Sequence, residues 1–448
     1  MPSPRNSSGI GALFRLDLGE LIAARSFWLL LAMIGPLVGQ AFITAVASYA
    51  EASGAGGGPA ALAQGLSPLD GIVVPTFGAY DLAVTFLLPF VAIRLIAAER
   101  ESGAALLLAQ SRVGLPARLL VKLAVLGLGG LAAAIPGLLA LSLWRSYGGH
   151  LAGAETANVL LGHLLHALLA TGVAFAAAAV CRSSASAAIA TLGLTVGGWA
   201  LDFIAAGRSG WIAEAARFTP AAALRRFEQG ELKVAVLAAL TVATLGALAF
   251  AAFELDPYAG PPKRHLRAGL ALVLAIGAMA GASTLRAGWD LSEDRRSSFS
   301  RADEAALRRI ARPVRVSANL AAEDPRLTDL ERNVLSKLRR VLPDFSVTLA
   351  AAGRSGLFDG PGYGEVWYQV GEKRAMLRST IEPVVLGKIY ELAGVTPPAP
   401  DTEPAYPGYP LAAAPRGAAP RGAAPLFYVA WPLVAGLAFF TRDRWRSP

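Results

Sequence analysis

Long apolar stretches recur along the chain and are joined by short polar segments. A spanning helix needs about 20 mostly apolar residues, and seven stretches approach or exceed this length. They cover roughly Phe27–Ala50, Thr76–Ala98, Leu119–Leu143, Ala157–Val180, Ala185–Ala205, Leu232–Phe253 and Ala268–Leu285. The pattern predicts a mostly α, polytopic α-helical membrane protein.

An eighth apolar stretch, Leu426–Thr441, is shorter than the others. It carries Tyr428 and Trp431, which are aromatic residues of the kind found at membrane interfaces, and the basic sequence RDRWR follows it at 442–446. We therefore expect a short span. A helix that lies in the interface is the alternative.

The polar segment Ala287–Ala424 separates the last two apolar stretches and predicts a small α/β domain. Its expected elements are a helix capped by Ser300 and Asp303 that runs through Arg312, a strand Pro313–Leu320, a helix capped by Thr328 and Glu331, a strand Phe345–Ala350, a hairpin of Glu365–Val370 and Arg374–Ser379 that turns at Gly371-Glu372-Lys373, and a helix Ile381–Ala393. The first strand, helix and second strand form a βαβ unit. Thr396–Pro425, which contains AAPRGAAPRGAAP, predicts a stiff low-complexity linker.

Composition and charge refine this interpretation. Of 448 residues, 54% are hydrophobic and only 16% are charged, against about a quarter charged in soluble domains. With both termini in the cytoplasm, nearly all of the net charge of +9 falls on inner segments, as the positive-inside rule requires. This distribution explains the basic character without a nucleic-acid partner. Cys181 is the single cysteine, so no intrachain disulfide forms, and no cleavable signal peptide is expected.

The segment Leu95–Leu123, LIAAERESGAALLLAQSRVGLPARLLVKL, joins the second and third apolar stretches. Its charged triplet at 99–101 stands where a helix leaves the bilayer, because charge in the hydrocarbon centre costs several kcal/mol. The apolar run Ala104–Ala109 follows, and Gly114-Leu115-Pro116 ends it. These features predict a short amphipathic helix beneath the membrane, whose apolar face contacts a protein partner or dips into lipid.

This order of residues resembles the first cytoplasmic loop of type-2 ABC exporter permeases. In that family the loop holds a coupling helix that docks on a separate ATPase subunit. The residues that carry the resemblance are Glu99, Arg100, Glu101, Gly103, Leu106, Leu107 and Leu108. Ala104 stands where the family usually has threonine.

Two further stretches resemble the same family. Ile10–Arg25 is similar to its amphipathic elbow helix, and Arg217–Leu232 to its outer re-entrant segment, with Phe218, Pro220, Phe227 and Gly230 in matching places. The resemblance covers about Gly9–Pro257 and includes six spans, which amount to one permease half. It implies a second permease copy or a homologous permease as a partner.

A later stretch, GWDLSEDRRSSFS at 288–300, resembles the start of the auxiliary component of gliding-motility-type ABC exporters. In those proteins a span precedes an extracytoplasmic domain and a C-terminal span. The domain is shorter here than in that family. The resemblance implies a fused auxiliary module with an extracytoplasmic protein partner.

The predicted domains follow from these boundaries. They are 1–25, an N-terminal tail and elbow helix; 26–257, a six-span permease; 266–286, a seventh span; 287–395, an extracytoplasmic α/β domain; 396–425, a linker; and 426–448, a last span and basic tail. The expected location is the bacterial inner membrane, in contact with its lipids, with multiple spans and both termini cytoplasmic.

Few residues suggest chemistry within the chain itself. No G-x-x-x-x-G-K-[ST] phosphate loop occurs, so ATP and Mg are expected on the partner ATPase and no cofactor on this chain. Asp81 and Asp202 lie within or at the ends of spans near the outer face, close enough to the interface to be solvated, and are, as the less favoured alternative, candidates for a translocation path. His163 and His166 are three residues apart and could share a helix face. We expect them to form a polar helix interface, and a metal or proton site is the less favoured alternative. No catalytic arrangement is evident.

The leading hypothesis is therefore the membrane subunit of an ATP-driven exporter. The alternative is a membrane scaffold or assembly factor that binds a protein outside and translocates nothing. An intramembrane enzyme is a third possibility that lacks a catalytic constellation. The transported substrate cannot be derived from these patterns.

Overall fold

The computed structural model describes residues 4–54, 65–111, 113–205, 211–216, 218–321, 324–349, 362–399, 406–411 and 422–442. Most of the predicted linker 396–425 and the tail 443–448 lie outside the described residues. The helices are α1 (Pro4–Ala23), α2 (Arg25–Ala52), α3 (Val74–Glu101), α4 (Ala104–Ala109), α5 (Leu115–Ala133), α6 (Ile135–Ser146), α7 (Gly153–Val180), α8 (Ser184–Ala205), α9 (Trp211–Ala216), α10 (Pro220–Glu228), α11 (Val234–Glu254), α12 (Pro261–Ala282), α13 (Arg301–Leu307), α14 (Pro325–Leu330), α15 (Ser336–Val341), α16 (Glu382–Ala393), α17 (Ala423–Pro425) and α18 (Trp431–Thr441), with π-helical turns at Leu69–Val73, Glu331–Leu335 and Leu426–Ala430. The strands are β1 (Glu231–Lys233), β2 (Gly288–Asp290), β3 (Val314–Ala318), β4 (Phe345–Leu349), β5 (Val366–Val370) and β6 (Lys373–Leu377).

The chain forms two compact units. The membrane unit comprises Met1–Gly197, Lys233–Ala287 and Pro407–Pro448, and the α/β unit comprises Gly198–Leu232 and Gly288–Tyr406. The segment at 217–232, which resembles a permease feature, thus belongs to the same unit as most of the predicted auxiliary domain. Backbone pairing gives the reason, since β1 hydrogen-bonds to β2.

Eight helices in the described part of the chain are long and apolar enough to cross a membrane, which confirms a helical, multi-pass membrane protein. Several boundaries differ from the prediction. The second candidate span begins at Leu69 because a π-helical turn precedes α3. The third continues to Ser146 through α5 and α6, which join at Ala134. The eighth begins at Ala423 and reaches 19 residues.

The last helical segment packs along α2 rather than standing alone. Gly35 and Gly39 lie four residues apart on α2, and a Cβ atom at either position would overlap the ring of Trp431 or Phe427. The Trp431 Nε1–H donates to the Leu31 carbonyl oxygen at 2.5 Å. Small residues let transmembrane helices approach closely. This packing favours a span over an interfacial helix.

Segments predicted to share one side of the membrane meet at one end of the membrane unit. We call this end, which contains Ala23, Arg100, Ala178 and Arg442, the basic end. There Arg442, after α18, donates to the Ala23 carbonyl at 3.3 Å, and Arg100, at the end of α3, donates to the Ala178 carbonyl at 2.8 Å. At the opposite end, the Tyr49 hydroxyl donates to the Tyr409 carbonyl at 2.8 Å. An alternating eight-helix arrangement accounts for this grouping.

The α/β unit contains a four-stranded sheet of order β4-β3-β5-β6. β3 pairs in parallel with β4 and antiparallel with β5, so the predicted βαβ unit is confirmed. The β5–β6 hairpin closes at Gly371-Glu372, where Gly371 has φ +60°, a value that favours glycine. Val316, Leu338 and Tyr368 are among the buried side chains of its core.

Helix boundaries in this unit differ from the prediction at two places. The first helix ends at Leu307 instead of Arg312. The second begins earlier, because Asp324 caps it and Pro325 occupies its first turn, where Thr328 was expected to cap it. Hydrogen bonds from Arg326 lower the pKa of Asp324 to about 2, and the Tyr363 hydroxyl donates to the same carboxylate at 2.6 Å.

Substituting Gly39 with leucine tests the packing of the last helix. The new side chain overlaps Phe427, and overpacking of this kind costs about 1–3 kcal/mol, so we expect a lower melting temperature in detergent. Gly277→Leu in α12 is the matched control, since no atom lies within 4 Å of a Cβ there. Equal melting temperatures for the two variants would contradict the described contact.

Candidate functional site

A buried ion triplet lies at the basic end. The Lys122 Nζ is 2.6 Å from the Asp17 Oδ1 and 2.8 Å from the Glu99 Oε1. The side chains of Lys122 and Asp17 are only 3% and 4% exposed, and that of Glu99 is 13% exposed. The three residues come from α5, α1 and α3, so the triplet ties the elbow-like helix to the loop between the second and third candidate spans.

The triplet changes the interpretation of Glu99, which the sequence places in the docking motif. Its carboxylate points into the protein, and Lys122 neutralises it. Burial raises the pKa of Asp17 despite the adjacent ammonium group, and burial also raises the pKa of Glu20 on the same helix. Glu99 therefore positions the loop, and its side chain contributes little surface to a partner.

Arg100 is exposed overall, but its guanidinium group also bonds to the protein. Its Nη1 donates to the carbonyl oxygens of Ala178 at 2.8 Å and Cys181 at 3.3 Å, at the end of α7. The last carbonyl groups of a helix have no intrahelical partners and carry partial negative charge. Arg100 thus provides hydrogen-bond donors for the carbonyl groups at the end of α7. These bonds attach the loop between α3 and α5 to a second helix.

The rest of the loop is presented outward. Gly103 precedes α4 and has φ +73°. A residue with a Cβ atom would adopt this backbone angle only with strain. Leu106 and Leu107 on α4 are 64% and 72% exposed, and Leu108 is partly buried. Glu101 is exposed as well. Two adjacent leucines therefore form an apolar surface on a loop that its charged neighbours hold in place.

Asp81 meets the two histidines in the interior of the membrane unit. Its Oδ1 is 3.4 Å from His166 Nε2 and 4.0 Å from His163 Nδ1, and both histidines are buried. His166 lies near the middle of α7, so the cluster occupies the depth of the helix bundle, and the expectation that Asp81 is solvated near the outer interface is wrong. The described residues contain no group of three or more His, Cys, Asp or Glu side chains that could hold a metal ion.

Asp202 lies in the α/β unit, where its carboxylate forms an ion pair with Arg225. In α10, Pro220 occupies the first turn, Thr219 caps the helix and Phe227 is fully buried. Phe218 is largely exposed. Gly230 has φ +78° and touches the backbone of Ser292, so these positions form a local turn against the start of β2.

The residues that resemble an auxiliary-component motif organise a loop. The Asp290 carboxylate accepts hydrogen bonds from the Ser292 hydroxyl at 2.5 Å, the Ser297 amide at 2.9 Å and the Ser298 hydroxyl at 2.7 Å. Phe299 is buried in the core. These contacts give the motif a structural role that spacing alone did not reveal.

No family model, curated protein or solved structure matches this chain. The family resemblance therefore rests on the motifs quoted above. The roles of Asp17 and Lys122 were not predicted from the sequence. A charged residue on the apolar face of an amphipathic helix, and a lysine inside an apolar run, were the available signals.

Substituting Lys122 with methionine tests the triplet. Removing one partner of a buried ion pair costs about 3–5 kcal/mol, so we expect a clear fall in melting temperature at neutral pH. Burial already raises the pKa of Asp17, and loss of the ammonium raises it further. The folded variant then binds a proton at Asp17 more readily than the unfolded chain, so its deficit should shrink as the pH is lowered.

The control for this experiment is the triple variant Lys122→Met, Asp17→Asn, Glu99→Gln, which removes all three charges together. It should recover most of the lost stability and show a weaker dependence on pH. A Lys122→Met protein that melts like the wild type at neutral pH would show that the ion triplet is not formed.

Proposed function

We propose that this chain is the membrane subunit of an ATP-driven exporter of the ABC type, whose ATP and Mg are bound by a separate cytoplasmic ATPase. The observation that carries the proposal is the exposed Leu106–Leu107 surface on α4, held by Glu99 and Arg100 against α5 and α7. A loop that transmits force needs an apolar contact for its partner and stiff attachment to the spans. The resemblance to type-2 exporter permeases supports the same assignment.

The proposed orientation places the basic end in the cytoplasm of a bacterial cell, with the protein in the inner membrane. The surplus of Lys and Arg on the segments that meet there supports this orientation. Both termini are then cytoplasmic, and the polar segment between the last two spans is extracytoplasmic. That position would let the α/β unit bind an outer protein partner.

We also propose that the working assembly contains two permease halves, as two copies of this chain or one copy with a homologous permease. Six spans form only half of the pathway in the exporters that the chain resembles. In α8, Ile189 and Leu194 are 73% and 65% exposed, so a large apolar surface is available to lipid or to the second half. Asp81 remains a candidate residue of the pathway, and Asp202 is proposed only as a candidate at its outer end.

Photo-crosslinking tests the docking surface directly. A photoreactive residue at Leu107 should capture a cytoplasmic protein whose sequence contains a G-x-x-x-x-G-K-[ST] loop, identified by mass spectrometry. The same residue at Leu131, which is exposed within α5, should capture none. The double variant Leu106→Ser, Leu107→Ser should reduce co-purification of that ATPase by about tenfold or more, because interface anchors often contribute over 2 kcal/mol.

Gln110→Ala is the matched variant for the co-purification experiment, since Gln110 is exposed at the end of the same helix, outside the motif, and should retain the ATPase. Capture at Leu107 of proteins without a phosphate loop, or of no protein, would sink the exporter proposal. A membrane scaffold would then be the better interpretation.

Cysteine labelling tests the proposed topology. On a Cys181→Ser background, Glu372→Cys in the β5–β6 turn should react with a membrane-impermeant thiol reagent in intact cells. Ser111→Cys, which is exposed after α4, should react only after permeabilisation. The reverse pattern would invert the orientation and remove α4 from the cytoplasm.

A further inference from the structure

The basic end contains a cavity of about 340 Å³. Its lining comes from the end of α3, from α4, from the start of α5, from the end of α7 and from the residues around the junction of α11 and α12. These elements all belong to the membrane unit. The cavity lies where the helices would leave the bilayer, at the depth of lipid headgroups.

Arginines outnumber carboxylates by three to two in the lining of this cavity. Arg100, Arg118 and Arg264 all line it, and Arg100 uses backbone carbonyl oxygens as acceptors. Arg264 likewise donates to the carbonyl oxygen of Glu254 at 3.4 Å. Among the described residues, none of these three arginines forms an ion pair.

The two carboxylates in the lining already have other partners. Glu99 lies 2.8 Å from the Lys122 Nζ, and Glu254 lies 2.8 Å from the His265 Nδ1. Glu99 therefore compensates Lys122 more directly than the arginines, and Glu254 contacts the His265 ring. The lining keeps an excess of positive charge that an anion would neutralise.

Arg118 provides the second, independent observation. The residue is only 7% exposed, and its buried Nε has no hydrogen-bond partner in the described structure. The buried Nε of Arg264 has none either. An unsatisfied buried donor costs free energy comparable to a lost hydrogen bond, and more when it is charged. Both guanidinium groups belong to residues that line the cavity, so a ligand with strong acceptor oxygens would offset part of this cost.

The rest of the lining is apolar. Ile96, Leu106, Leu115, Val180 and Leu255 contribute side chains to the wall. A free anion would leave this wall without a partner, whereas a lipid would place its phosphate at the guanidinium groups and its acyl region against the aliphatic residues. Basic pockets between transmembrane helices recognise anionic headgroups in this way.

We propose that this cavity binds the phosphate of an anionic phospholipid through Arg118 and Arg264. The site is independent of the proposed ATPase, because it depends only on the arrangement of the membrane unit. Leu106 lines the cavity and is also exposed on α4, so a bound lipid contacts the loop that we assign to docking.

Native mass spectrometry of the purified full-length chain in a neutral detergent tests the site. Phosphatidylglycerol should bind with an apparent affinity at least about tenfold higher than phosphatidylcholine of the same acyl chains. Arg264→Gln should lower phosphatidylglycerol binding by about fivefold, the equivalent of about 1 kcal/mol for one basic residue near a headgroup. Arg118→Gln should have a similar or larger effect.

Lys263→Gln is the matched control, since Lys263 is exposed beside Arg264 on the same helix and does not line the cavity. It should leave phosphatidylglycerol binding unchanged. If Arg118→Gln does not fold, Arg264→Gln decides the result, because Arg264 is only partly buried. Melting temperature with added inorganic phosphate distinguishes a free anion from a lipid.

Equal binding of the two lipids, equal effects of Arg264→Gln and Lys263→Gln, or stabilisation by inorganic phosphate equal to that by phosphatidylglycerol would each overturn the proposal. Selective binding that depends on Arg264 supports it, whether or not an ATPase is found at Leu107.

Discussion

The ammonium group of Lys122, held between Asp17 and Glu99, is the interaction on which the basic end of the membrane unit depends. A charge at this depth must be paired, because its desolvation costs several kcal/mol. Pairing with two carboxylates from different helices fixes α1, α3 and α5 relative to one another. Arg100 then adds the end of α7 to the same group of helices.

The loop and the cavity both depend on this arrangement. Glu99 and Arg100, which precede α4, bond to neighbouring helices, and the cavity beside this loop is lined by three arginines and two carboxylates. Binding of a partner at Leu106 and binding of an anion at Arg118 would thus act on one rigid region. The ion triplet and the Arg100 hydrogen bonds thus connect the apolar surface of α4 with the arginine-lined cavity.

Local patterns were sufficient for much of the fold. Runs of apolar residues predicted all eight candidate spans, and alternation predicted the four strands of the larger sheet. Errors occurred where a local signal had a competitor, as when Asp324 and Pro325 began a helix before Thr328. The start of the last helix at Ala423 was also missed, because alanine and proline in a low-complexity sequence do not indicate a helix.

The candidate site was less accessible to sequence reasoning. The motif predicted a docking loop, but it could not separate Glu99 and Arg100, whose charged groups bond to other helices, from Leu106 and Leu107, which are exposed. The partners of Glu99 and Asp81 are set by tertiary packing, since Lys122 and His166 lie on other helices. Pairing across helices cannot be derived from one sequence without knowing which helices are neighbours.

The contact between α2 and the last helix has a consequence for biosynthesis. Leu31 and Trp431 are separated by 400 positions, so at about 5–20 residues per second the ribosome needs roughly 20 to 80 s to make the second partner after the first. During that time the glycine face of α2 contacts lipid or the insertion machinery. The last candidate span thus covers the glycine face of the first one to enter the membrane. A nascent chain truncated before Phe427 leaves this face of α2 uncovered.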